Sequence, residues 1–353
     1  TIVSAGNGNW SSASTWNPAR VPHSSDIVLI THTVVYESTT GDVDVIGVGA
    51  NGILRFSTSQ NTSLRVANLL VQPQGTLEVG TQSTPIPANL TAEIVIKNKA
   101  LNLTTDPNQF GTALISLGTV TMHGSVKTPA FVRTSIEPRA GNTTVMLETA
   151  PSGWRVGDRI FLPDTRQVDG DDWFNSNYQL QVEERTISAI SSNTITLSSA
   201  LSYDHRGARD ADGTPTIYNG IRYLPHVGNL TRNVVIRSEN PNGTRGHTLM
   251  THRADVHIKY VQFQDLGRTR AIPLNASSNH IGRYPLHTHQ LWGPVNPSNT
   301  GYQFELVGNA INDSLKWPMA IHGSHYGLIQ QNIVFGGSQL TGAGIAVEDG
   351  SET

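Results

Sequence analysis

The stretch "GRYPLHTHQ", residues 282–290, places His287 and His289 two positions apart among short apolar segments. Residues two apart on a strand share a face, so the two imidazoles look the same way. Two later stretches align with it, "WPMAIHG" (317–323) and "AGIAVED" (343–349). Leu286, Met319 and Ile345 then fall in one column, and Thr288, Ile321 and Val347 in a second, mostly apolar and directed inward. Period-two alternation sends His287, Ala320 and Ala346 outward, with His289, His322 and Glu348 in the adjacent outward column. Stacked as parallel rungs about 4.8 Å apart, His289, His322 and Glu348 form a ladder. Two imidazoles and a carboxylate at that spacing can hold a metal or work as an acid/base pair. The set suits zinc and related metals, whereas calcium takes more oxygen. His287, with alanines above it, faces a shallow cleft with room for a substrate. The alternative is a column of stacked polar residues, hydrogen-bonded and inert.

Such a ladder needs a stack of strands, and the rest of the chain supplies them. Residues 1–125 alternate short β-branched runs ("DIVLI", "TVVYE", "GILRF", "EIVIK", "TVTMHG") with Gly and Asn turns, and no stretch shows a 3.6-residue period. From residue 230 similar runs recur ("RNVVIRSE", "DVHIKYVQF", "GYQFELVGNAI", "YGLIQQNIVF"), the last two 24 residues apart with Tyr302 set on Tyr326. One short unit per repeat is the mark of a solenoid. The expected fold is all-β: a β-rich module over 1–125, a strand meander over 126–229, and right-handed parallel β-helix rungs over 230–353. The longer excursion "LWGPVNPSNT" after the first histidine rung would build the wall of a groove. The meander carries an acidic loop, "DTRQVDGDDWFNSNY", which reads as a solvated loop or as one in which Asp169, Asp171 and Asp172 offer oxygen ligands of the kind calcium takes.

Composition narrows the function classes. Of 353 residues 14% are charged, with a formal net charge of -3, which argues against a nucleic-acid-binding or disordered chain. No cysteine is present, so there is no disulfide framework, thiolate metal site or thiol nucleophile. No apolar run reaches the roughly 18 residues of a membrane span. The start "TIVSAGNGNW" carries no basic-then-apolar leader, as expected of a cytosolic chain or one whose signal peptide has been removed. "GVGANG" (47–52) has no helix pattern after it to receive a phosphate, so it reads as a turn, and no nucleotide or flavin is expected. Residues 206–283 hold ten of the nineteen arginines plus Lys259, against Asp210, Asp212, Glu239, Asp255 and Asp265. Arginine captures carboxylate or sulfate in a bidentate way, so this segment reads as a basic wall facing an acidic polymer, or as a solvated surface. Sequons at Asn9, Asn61, Asn89, Asn102, Asn142, Asn229, Asn242, Asn275 and Asn312 fit a glycosylated, secreted protein.

"GNWSSASTWNPARVPHSSDIVLI", with "GILRF", "LLVQPQGTLEVG" and "TPI", resembles the G8 domain, an extracellular β-rich module. "FQDLGR", "GRYPLHTH", "AIHGSHYGLIQQNIVFG" and "VEDG" resemble the β-helix that follows G8 in the cell-migration-inducing hyaluronidase and transmembrane protein 2 family. The resemblance spans most of the chain in order. It implies a secreted or cell-surface protein that binds or depolymerises an anionic polysaccharide such as hyaluronan, with calcium dependence. By position, His287, His289, His322, Glu348 and Asp349 match the family's "HxH", "HG" and "EDG" elements. Animal members carry cysteines and a longer stretch between G8 and the helix; this chain departs on both counts. That implies a microbial relative with a different glycan, or a member that keeps the fold without the activity.

Two functions follow. In a depolymerase, hydrolysis needs two carboxylates, for which the adjacent Glu348 and Asp349 are poor partners because neighbouring strand residues face opposite ways. Elimination needs a base at the sugar C5, which His289 or His322 supplies. It also needs a proton donor, Tyr284, and a group that neutralises the uronate, Arg283 or a metal. The other function is a non-catalytic glycan-binding or surface-structural solenoid, with any metal purely structural. A rung ending at "VEDGSET" leaves a strand edge, so a further C-terminal segment or another chain is expected to cap it.

Overall fold

The computed structural model describes residues 1–166, 179–293, 301–336 and 343–348, and it divides into two compact units, 1–125 with 232–353, and 126–231. Its elements are almost all strands, with one short 3-10 turn at Ala13–Thr15.

The first unit is a three-faced parallel β-helix. One face stacks Ala92–Ile96, Val234–Ser238, Val261–Gln264, Ala310–Asn312 and Ile333–Phe335 in parallel register. The second stacks Ala113–Ser116, His247–His252, Leu286–Leu291, Met319–His322 and Ile345–Glu348. The third stacks Thr119–His123, Asp255–Lys259, Phe304–Val307 and Gly327–Gln330. Earlier rungs continue each face, and the long strand Thr62–Val71 turns the corner between the first two, pairing with Ala92–Ile96 and with Ala113–Ser116. The sequence fits the turns as well as the strands. "DVHIKYVQF" breaks into two strands at Tyr260, whose φ of 56° makes the corner between the third and first faces.

Alternation decides what lies inside. Leu64, Ile94, Ile236, Phe263 and Ile311 of the first face meet Leu114, Met250, Leu286 and Ile321 of the second in one continuous core. Each such fully buried side chain contributes about 2 kcal/mol of hydrophobic stabilisation. Buried asparagines hold a corner: the Asn309 Nδ2 donates to the Ile258 carbonyl at 2.9 Å, and its Oδ1 accepts from the Val261 N–H at 2.9 Å.

Two expectations change here. The segments 1–125 and 230–353, read as separate domains, share one core and one set of ladders, because Ala92–Ile96 pairs directly with Val234–Ser238. The intervening 126–231 is an insertion in the solenoid. The last repeat is 23 residues, not 24: Phe304 stands opposite Gly327 and Val307 opposite Gln330, so Tyr302 is not stacked on Tyr326.

Among its described residues the inserted unit holds a six-stranded antiparallel sheet and a two-stranded hairpin, Ile217–Tyr218 with Ile221–Arg222, and has its own core, Val132, Leu147, Ile160, Ile187, Ile195 and Val227 among them. A bridge from Thr134 to Leu147 joins its two outer strands, so the sheet closes on itself. The acidic residues Asp169, Asp171 and Asp172 lie outside the described residues.

Candidate functional site

On the second face the strand Leu286–Leu291 pairs with Met319–His322, and that strand with Ile345–Glu348. The register sets Leu286 against Met319 and Ile345, His287 against Ala320 and Ala346, Thr288 against Ile321 and Val347, and His289 against His322 and Glu348. These are the columns that alternation predicts. Thr288 and Ile321 are fully buried in the core, whereas Ile345 and Val347 of the last described rung are 41% and 49% exposed.

The outward columns open into a cavity of about 740 Å³. His287 is not in a shallow cleft: it faces outward yet is only 4% exposed. Two long crossings from the first face to the second cover it. One, between Ile96 and Ala113, brings Asn108 and Phe110; the other, between Gln264 and Leu286, brings the stretch from His280 to Tyr284. The floor beneath is apolar, from Ile115 and Leu249, and Trp317 closes a side, its ring centroid 5.4 Å from that of Tyr284.

Three imidazoles converge in this cavity. One ring nitrogen from each of His287, His289 and His322 lies within 4.8 Å of the others. The Nδ1 atoms of His289 and His322 face one another at 2.8 Å, so one of them carries the proton and the other receives it. A carbonyl only accepts, so the His287 Nδ1–H donates to the Gly282 carbonyl at 3.0 Å, which leaves the Nε2 lone pair of a neutral ring free to accept or ligate. Burial, then the neighbouring His289, pushes the His287 pKa down to about 3. Burial, then His322, also lowers that of His289. His287 is therefore neutral at physiological pH. Tyr284 packs edge-on against His287 at 5.1 Å; its hydroxyl is buried without a hydrogen-bond partner among the described residues. Burial raises its pKa.

The compact nitrogen group and the expected His289, His322 and Glu348 column overlap in two residues. The compact group contains His287 and not Glu348, because the His287 ring lies 5.3 Å from that of His289 across the strand pleat. Glu348 lines the same cavity in register with His322. Asp349 lies outside the described residues. The carboxylate-poor donor set does not fit calcium, which calls for six to eight oxygens.

Arg283 lines the cavity and braces its roof. Its Nε donates to the Gln109 carbonyl at 2.9 Å, Nη1 to that of Ile281 at 3.0 Å and Nη2 to that of Asn108, with the guanidinium 4.5 Å from the Phe110 ring centroid. Arg268 does the same for the carbonyls of Arg245 and Gly111, both at 2.9 Å, and of Gln109. Burial holds the pKa of Arg283 down at about 10 and that of Arg268 at about 9. The expected basic wall dissolves in the same way. Arg232 and Arg245 bond to carbonyls, and Arg206, Arg209, Arg222 and Arg237 pair with carboxylates. Arg253 and Arg270 are exposed.

Two sequons are corrected. Asn229 is fully buried, donating to Asp158 at 2.8 Å and accepting from the Thr231 N–H at 3.0 Å, and Asn312 is 1% exposed; neither can carry a glycan in the folded protein. Asn9, Asn61, Asn89, Asn102, Asn142, Asn242 and Asn275 are exposed. The sequence reading missed Trp317, Phe110 and Asn108. Trp317 stands at the head of a rung already aligned and was legible there; the other two reach the site only through the crossing.

Among known proteins, residues 15–135 match the G8 domain family and residues 243–353 the CEMIP beta-helix family. Fibrocystin-L of Mus musculus is 24% identical over 97% of this chain and 8% of its own length. A G8 domain-containing protein of Dictyostelium discoideum is 25% identical over 98% of this chain and 21% of its own. Cell surface hyaluronidase CEMIP2 of Homo sapiens is 27% identical over 57% of this chain and 14% of its own. The chain thus spans a small part of each relative. Among the described residues no helix is long and apolar enough to cross a membrane.

Proposed function

For a chain that belongs to the family of G8 domain and CEMIP beta-helix proteins, we propose that the second-face cavity binds a stretch of anionic polysaccharide, such as hyaluronan, and breaks it. The convergence of three imidazoles on a cavity with an aromatic wall carries the reading. The volume, about 740 Å³, is that of a small-molecule site and accommodates a short run of sugar rings. Trp317, Phe110 and Leu249 offer apolar faces to sugar C–H groups. The nitrogen cluster and the Tyr284 hydroxyl stand together where a scissile bond needs a basic centre and a proton donor. The relative named as a hyaluronidase supplies the substrate class. In this reading the protein is secreted or held at the cell surface, where such polymers are found, and its exposed sequons are compatible with that location.

The test is release of new ends from hyaluronan, chondroitin and alginate, with the double variant His289→Ala, His322→Ala as control. Product from one polymer, reduced at least ~100-fold in the variant, is the expected result. Unsaturated ends identify elimination, and saturated reducing ends hydrolysis. Folded protein that binds these polymers, as does its variant, but releases nothing would replace this reading with a non-catalytic glycan-binding or surface-structural role.

A further inference from the structure

We infer that His287, His289 and His322 form a three-nitrogen site for a zinc-class divalent metal, with its fourth coordination position open to the cavity. Tetrahedral zinc with Zn–N distances near 2.0–2.1 Å sets its ligand atoms about 3.3 Å apart. The three ring nitrogens already lie within 4.8 Å of one another, and the His289 and His322 nitrogens stand 2.8 Å apart. Shifts of several tenths of an ångström to somewhat more than one ångström, available by rotating the rings about their side-chain torsions, bring all three to ligating distance.

The backbone beneath is fixed. His287 and His289 sit on one strand, and His322 comes from the next rung, held by a four-residue parallel register from Leu286↔Met319 to His289↔His322. His287 also has the outer support that metal-bound histidines usually have: its Nδ1–H is tied to the Gly282 carbonyl, which fixes the tautomer and aims Nε2. Gly282 adopts a φ of 81°, a left-handed conformation that turns the 268–283 crossing over the ring. Charge is balanced locally, because Glu348, in register with His322, lines the same cavity. Trp317, Tyr284 and Leu249 line the remaining side, so the open position faces a partly apolar space large enough for a ligand.

The donor chemistry selects the ion. Imidazole nitrogens favour zinc and its first-row neighbours, while calcium and magnesium require oxygen. As a statement about the reaction centre the inference rests on the depolymerase reading; as a statement about binding it is tested by the metal alone.

The experiment strips the full chain with a chelator and titrates it with Zn²⁺, Co²⁺ and Ca²⁺ in a calorimeter. The visible spectrum of the cobalt form then reads geometry. The expected result is about one zinc per chain, a four-coordinate cobalt spectrum and no competing calcium. Affinity should fall at least ~10-fold in each of His287→Ala, His289→Ala and His322→Ala, and hold in Glu348→Gln. X-ray absorption on the zinc-loaded wild type counts imidazoles without relying on any variant; three support the site. Binding that ignores all three histidines, a preference for calcium, or fewer than three imidazoles in the spectrum overturns it. Polymer cleavage at full rate by zinc-free protein overturns the metal's place in the reaction centre and keeps the depolymerase. Zinc bound as expected with no polymer cut keeps the site and removes the depolymerase.

Discussion

Replacing Arg283 with Met separates a strut from a substrate-binding group. The change keeps an apolar stem of similar reach and removes every donor. In the wild type Arg283 bridges two crossings, donating to Gln109 at 2.9 Å and to Asn108 on one, and to Ile281 at 3.0 Å on its own. Two of these carbonyls belong to the crossing that roofs the site, and each would lose a charged donor. The Gln109 carbonyl keeps its bond from Arg268 and Asn108 is exposed, so neither acceptor is orphaned; the loss is that of hydrogen bonds from a charged donor, together about 3 kcal/mol. Loss of the cation over the Phe110 ring, 4.5 Å from its centroid, adds ~0.5–1 kcal/mol. Relief from burying the guanidinium offsets part of this, as replacement of buried charges by apolar groups does elsewhere, leaving a net loss of about 2 kcal/mol. Urea denaturation at neutral pH reads that loss, and titration with a short hyaluronan oligosaccharide reads binding. A stability change under about 1 kcal/mol with binding abolished would refute the strut and restore Arg283 to direct substrate capture.

Four further outcomes follow from the same structure. Thr288 is fully buried in an inward column with an unpartnered hydroxyl between Met250 and Ile321, so Thr288→Val should stabilise the protein by about 1 kcal/mol and raise its melting temperature. A Cβ on Gly327 would lie 1.8 Å from the Phe304 ring in the facing rung, so Gly327→Ala should cost about 3 kcal/mol, read as a lowered denaturation midpoint. His257 bonds Asp255 at 3.1 Å and Glu305 at 2.6 Å, and chiefly the Asp255 bond raises its pKa above 6.5. A raised folded-state pKa stabilises below the ordinary value and the gain disappears as pH rises through the folded one. The melting-temperature advantage of wild type over His257→Gln should therefore be full below pH 6.5 and shrink above it; a flat difference across that range counts against the paired imidazolium. Expression in a glycosylating host followed by peptide mass spectrometry should find glycan at exposed sequons and none at Asn229 or Asn312, whose amides are buried.

What the sequence made legible is what strand periodicity encodes. The columns through Leu286, His287, Thr288 and His289 follow from alternation, since a one-residue slip would put His287 in the core and Leu286 outside. Periodicity is silent on depth. His287 and Leu249 both point away from the coil, and a pattern of in and out marks them as surface. Their burial comes from crossings of irregular conformation, whose path depends on Gly282 at positive φ and on guanidinium bonds to backbone carbonyls. The basic segment misled for the same reason: arginine type signals anion capture, but only the fold shows that most of these side chains already bond to backbone carbonyls or to carboxylates of the chain. That the His287 ring joins those of His289 and His322 was equally hidden, because it depends on ring orientation and not on which residues share a column.

The location of the site on the solenoid follows from the lengths of successive turns. At the corner between the first and second faces, most rungs cross in few residues, as between Asn312 and Met319. Two rungs do not: the chain runs from Ile96 to Ala113 and from Gln264 to Leu286 before rejoining the second face. Both long crossings fall over the same outward columns and are fastened together where Arg268 and Arg283 both reach the Gln109 carbonyl. The next rung, Met319–His322, has a short crossing, and its His322 lines the cavity beside His289. His287 sits under the roof, while His289 and His322 stand partly exposed at its edge. A solenoid that varied only the residues of its ladder would present these imidazoles to bulk water, where ligands and protons exchange freely. Lengthening two turns at one corner puts them against low-dielectric walls, which strengthens charge and hydrogen-bond interactions at the site without altering the stacked frame.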